Sequence, residues 1–99
     1  MKLRKLAHAR SGDQGSGANV AVFALNPKAY RKLVRALTAA RVQKYFASLG
    51  VGKVTRYEVP NLTALNFVLP GILAGGGSRS LRIDAQGKTL GEALLEMEL

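Results

Sequence analysis

The sequence predicts an α+β fold: a mostly antiparallel sheet with its helices packed on one face. Three observations predict it. A helix start at Asn26-Pro27 is followed by apolar residues at helical spacing, while Lys53–Val59 alternates as a strand does. The elements run strand, strand, helix or helix pair, strand, helix, strand and tail, with the first two strands read as a hairpin. Hydrophobic residues make up 47 % of the 99 positions and charged residues 21 %, a globular composition of a size that suits one domain spanning residues 1–99.

Residues 2–10 read as the first strand, with Leu3, Lys5, Ala7 and Ala9 pointing one way and Leu6, His8 and Arg10 the other. The alternation is imperfect, as expected of an edge strand or one with a wet face. The polar stretch from His8 to Asn19 reads as a long loop, a non-minimal hairpin connection. Val20–Leu25 is a continuous apolar run, the pattern of an interior strand covered on both faces.

Asn26 then serves as N-cap and Pro27 as the first helical residue. Tyr30, Leu33, Val34 and Leu37 share one helical face, and Lys28, Arg31, Lys32 and Arg35 hold the other. The next apolar set, Val42, Tyr45, Phe46 and Leu49, slips by one residue, and Thr38 stands where a second helix would be capped. Gly50 and Gly52 end it. Lys53–Val59 is a strand stopped by Pro60.

Residues 61–74 satisfy two periods. Leu62, Leu65, Leu69, Ile72 and Leu73 suit a helix capped by Asn61; an extended Leu65–Leu69 is the alternative, because Pro70 would kink the helix. The helix is preferred. Gly75-Gly76-Gly77 breaks whatever precedes it, Ser78–Asp84 reads as a strand with Leu81 and Ile83 inward, and residues 84–87 form a turn. Leu90, Leu94 and Met97 are spaced as in a helix, while Leu95, Met97 and Leu99 alternate, so a short helix passing into an edge strand satisfies both. If helices cover one sheet face, the other is wet or buried in a symmetric homo-oligomer.

The net charge of +9 favours anionic partners: an anionic small molecule, an acidic protein surface or nucleic acid. With no cysteine and one histidine, no metal site is expected, and no motif calls for a cofactor. No apolar run approaches the roughly 18 residues of a membrane span. No apolar segment follows Met1–Lys5 as in a signal peptide, so the expected location is the cytoplasm, away from membranes.

Two glycine-rich stretches hold the candidate site. Ser11, His8 and Asp13 supply the residue types of a nucleophilic triad, with His8 as acid or base, but no strand-to-helix elbow surrounds Ser11. Turn roles are preferred for Ser11 and Asp13. Alternatively, Gly12, Gly15 and Gly17 expose backbone N–H groups, and Arg10, Arg79 and Arg82 add charge for a phosphate or carboxylate. Gly76 and Ser80 give the second stretch the same character, and Asn19, Asn61 and Asn66 suit either loop fastening or ligand contact. Gly87-Lys88-Thr89 lacks the upstream glycine of a phosphate loop and is discarded. Lys28, Arg31, Lys32, Arg35, Arg41 and Lys44 make a basic helical surface, read as solvated in preference to nucleic-acid binding, since no RNA-binding signature accompanies it.

Arg10–Gly15 with Ala18-Asn19, Pro60-Asn61-Leu62 with Ala64–Leu69, Gly75–Asp84 and Gly87–Leu90 together resemble the small ferredoxin-fold domain of AtuA-like proteins, a family named for acyclic terpene utilisation. The resemblance spans nearly the whole chain. It implies a ferredoxin-like sandwich, a larger AtuA-like partner encoded in the same polypeptide or beside it, and a setting in acyl-CoA catabolism of branched or terpenoid acids. In the family the loop commonly runs Gly-Asp-Lys-Gly-Asp; here Gln14 and Ser16 replace the lysine and second aspartate, which puts roles resting on those charges in question. The leading expectation is an accessory module that binds itself and that partner. The rivals are a small acyl-metabolising enzyme using His8 and a basic nucleic-acid-binding domain.

Overall fold

The computed structural model describes residues 1–14, 17–72 and 89–99. After a 3-10 turn at Leu3–Lys5 come β1 (Ala7–Gln14), β2 (Gly17–Ala24), α1 (Pro27–Ala36), α2 (Ala39–Tyr45), β3 (Thr55–Val59), β4 (Ala64–Leu69) and α3 (Leu90–Leu95). The strands form one sheet in the order β1-β2-β4-β3, with every neighbouring pair antiparallel. β2 and β3 therefore run parallel, with β4 between them and α1 and α2 in the crossover.

The helix starts are local and chemical. Asn26 accepts a hydrogen bond from the Ala29 N–H at 2.8 Å, and Pro27 occupies the first helical turn where its missing N–H costs nothing. Thr38 caps α2 through the Arg41 N–H, so the slip in the apolar stripe is a break between two helices. At the end of α1 the Arg56 guanidinium donates to the Val34 and Leu37 carbonyls at 2.8 and 3.0 Å, satisfying acceptors the helix itself leaves unpaired. Gly50 takes the left-handed conformation expected of it, at φ 78°.

The core lies between the sheet and the helices. Val20 and Val22 of β2 and Leu65, Phe67 and Leu69 of β4 meet Leu33, Leu37, Val42 and Leu94, all fully buried. The Tyr30 hydroxyl is also buried and has no hydrogen-bond partner among the described residues; burial pushes its pKa up. At the far end, Leu3 N–H donates to the Met97 carbonyl and Lys2 and Glu98 form an isolated antiparallel β-bridge, so the short helix α3 runs into a single bridge where an edge strand was expected.

Four expectations change. The first strand begins at Ala7 and runs to Gln14, because Leu3–Lys5 forms a 3-10 turn. The stretch from His8 to Asn19 is strand up to the Gln14↔Gly17 pair, with Gly15 and Ser16 outside the described residues. Its polar composition is that of a wet sheet face. Residues 61–74 contain no helix in their described part: Pro60–Leu62 is a 3-10 turn, Thr63 sits at φ 46°, and Ala64–Leu69 is β4. Leu65, Phe67 and Leu69 alternate into the core, whereas Leu62, which the helical reading counted as apolar face, is 58 % exposed. β2 is interior, as read, but the described helices cover one face of it: Val20 and Val22 are buried, Ala21 and Phe23 half-buried. Leu73, the strand expected at Ser78–Asp84 and its flanking turns lie outside the described residues.

Candidate functional site

No described helix packs on the second face of the sheet. Strand register arranges that face in three rows of four, β1 to β3 across. The first row is His8, Phe23, Ala64 and Val59. The second is Arg10, Ala21, Asn66 and Tyr57, and the third Gly12, Asn19, Val68 and Thr55. His8 and Phe23 stack with ring centroids 5.2 Å apart and planes 16° from parallel. Asn19 donates from Nδ2 to Asn66 Oδ1 at 3.3 Å, joining β2 to β4 across the middle of the face.

Gly12 makes that amide pair possible. A Cβ there would stand 2.6 Å from Asn19 Oδ1, so the missing side chain is the space the carboxamide occupies. Gly91 plays the corresponding part on the covered face. Its N–H donates to Ser11 Oγ at 2.6 Å, and an added Cβ would stand 2.9 Å from that oxygen and 3.4 Å from Ala9 Cβ. Glycine at that point lets α3 lie directly on β1.

Of the predicted residues, the open face gathers His8, Arg10, Gly12, Asn19 and Asn66. Strand alternation turns Ser11 and Asp13 to the opposite side, where Ser11 is engaged by α3. The sheet therefore stands between His8 and its two proposed triad partners. Asn61 lies in the exposed turn linking β3 to β4. Gly15, Gly76, Arg79, Ser80 and Arg82 fall outside the described residues. The site reading missed Phe23, Tyr57, Thr55 and Val68. The available signal was parity: in β3, Tyr57 shares a face with Thr55 and Val59, opposite Arg56 and Glu58.

Elsewhere, an open groove of about 410 Å³ is lined by Arg41, Lys44, Tyr45, Met97 and Glu98. Two of its polar groups are committed: the Tyr45 hydroxyl donates to the Ala93 carbonyl and Arg41 to the Glu98 carbonyl. Burial pushes the Tyr45 hydroxyl pKa up. Among the described residues no three His, Asp or Glu side chains stand close enough to hold a metal ion. No described helix is long and apolar enough to cross a membrane.

Among the described residues, a four-stranded antiparallel sheet with helices on one side and a mixed polar and aromatic face on the other makes an α+β domain of ferredoxin-like type. A family model for the AtuA ferredoxin-like domain matches residues 1–99, and the chain belongs to that family. No curated protein and no solved structure matches it.

Proposed function

We propose that the protein is a binding module without catalysis of its own, one that associates with itself and with a larger AtuA-like protein in acyl-CoA or terpenoid-type catabolism. One observation carries this reading. His8 and Arg10, the groups best suited to chemistry, lie on an open sheet face among amides and apolar side chains, apart from Ser11 and Asp13. A flat face of half-buried Ala21, Phe23, Asn66 and Val68 suits contact with another surface better than enclosure of a substrate. Arg10 would meet an anionic small molecule there.

Co-expression with the larger AtuA-like protein of the same genome, followed by size-exclusion chromatography with light scattering, tests this. Co-elution at a mass above either component supports the reading, and separate peaks refute it. The stacked His8–Phe23 pair and exposed Tyr57 also favour a second reading, in which single-stranded nucleic acid lies across the face. Its mark would be oligonucleotide affinity that falls steeply with salt.

A further inference from the structure

The open face is poor in charge for a chain of net charge +9. In its three rows Arg10 is the one lysine, arginine, aspartate or glutamate. The cations of α1, Lys28, Arg31, Lys32 and Arg35, belong to its polar side, away from the buried Ala29 and Leu33. Two copies of so basic a chain repel each other, and they approach at least cost through a face kept nearly free of charge.

We propose that two copies pack sheet to sheet through this face, about a two-fold axis running parallel to the strands between β2 and β4. The inference deepens the self-association in the proposed function and rests on that reading. Such an axis lays β1 over β3 of the second copy and β2 over its β4, while each row stays level with itself. Gly12 then stands over Thr55 of the second copy, and half-buried Ala21 over its Asn66, so small residues meet larger ones, as packed sheets about 10 Å apart require. Arg10 stands over Tyr57 of the second copy, at the margin, where a guanidinium on an aromatic face is favourable. The other two-fold that stacks the faces, perpendicular to the strands, sets β1 over β1. It sets Arg10 against Arg10 at the same margin, a like-charge juxtaposition that disfavours that arrangement.

The pairing of Arg10 with Tyr57 gives a test that the two geometries answer differently. Within one chain these residues lie on the two outer strands of the described sheet, three strand spacings or roughly 14 Å apart, so they do not compensate each other intramolecularly. Light scattering across a concentration series should show wild type at twice its 10.6 kDa mass. Tyr57→Arg and Arg10→Glu should each weaken the dimer at least about tenfold, with unchanged circular dichroism. The double variant Arg10→Glu with Tyr57→Arg should restore it, because each glutamate then faces an arginine of the other copy.

A wild type that stays monomeric, with or without bound oligonucleotide, overturns the proposal. So does a dimer indifferent to Tyr57→Arg. Two weakened single variants with no restoration in the double overturn the axis. If the chain dimerises as described but does not co-elute with the larger protein, this inference stands and the accessory role fails. Co-elution with a chain that never dimerises alone gives the opposite result.

Discussion

The two faces of the sheet are built from the same strands, residue by residue in alternation, yet they obey different rules. On the covered face Val20, Val22, Leu65, Phe67 and Leu69 are fully buried under α1, α2 and α3. On the open face the intervening positions hold histidine, arginine, glycine, two asparagines and exposed tyrosine, with Ala21, Phe23 and Val68 partly shielded by neighbours. The first pattern is what a core demands. The second is neither a fully solvated surface, since Phe23, Val59, Val68 and Tyr57 are there, nor a core, since Asn19 and Asn66 bond only to each other among the described side chains. The difference teaches that core packing and the open surface are assigned to alternate residues of the same segments.

The largest test of that division compares two phenylalanines one strand apart. Phe67 is fully buried, and Phe67→Ala should cost about 3–5 kcal/mol through lost transfer energy and the cavity left behind. Phe23 stacks on His8 at the open face, so Phe23→Ala should cost under about 1 kcal/mol in the monomer. Urea denaturation at concentrations that keep the chain monomeric measures both, with equal slopes certifying that the unfolded state is unchanged. A large loss for Phe23→Ala in the monomer would mean the open face contributes to folding, and the division would fail.

Two glycines sharpen the comparison at smaller scale. Gly91→Ala pushes a methyl group towards Ser11 Oγ and Ala9 and should break the hydrogen bond that seats α3 on β1, a loss of roughly 1–3 kcal/mol. Gly12→Ala meets only the end of the Asn19 side chain, which has solvent beside it on the open face and can turn away. Its cost should stay under about 1 kcal/mol. Melting curves of the two variants side by side check the order, and a reversed order would locate the tighter constraint on the face taken to be open.

Legibility in the sequence divided along the same line. Asn26, Pro27 and Thr38 announced helix starts because capping is a contact between residues three apart. Alternation in Lys53–Val59 revealed β3 for an equally local reason. Leu65 and Leu69 fit a helical and an extended period at once, and only the sheet partner across from Leu65 and Phe67 decides between them. The polar run at His8–Asn19 looked like loop because a wet strand face and a loop share a composition. The candidate site was legible as residue types but not as a place. Asn19 and Asn66 are 47 residues apart and Gly91 and Ser11 are 80 apart, contacts that exist only once strand order and register are known.

The smallest expected effect concerns neither face but the clasp beside them. Glu96, at the end of α3, accepts from Lys2 Nζ at 2.7 Å and from Arg4 Nη2 at 2.6 Å. Those two hydrogen bonds hold its pKa at about 2, below the ordinary 4.5. A carboxyl whose pKa is depressed on folding contributes stability that is complete above the unfolded value and lost as pH falls through the folded one. The clasp should therefore weaken between about pH 4.5 and about pH 2, and added salt should weaken it at neutral pH because the pairs are partly exposed. Melting temperatures of wild type and Glu96→Gln should differ slightly above pH 4.5 and converge towards pH 2. A gap that persists at pH 2 would show that Glu96 acts through packing on the covered side, and the chain ends would then belong to the core that the rest of that face builds.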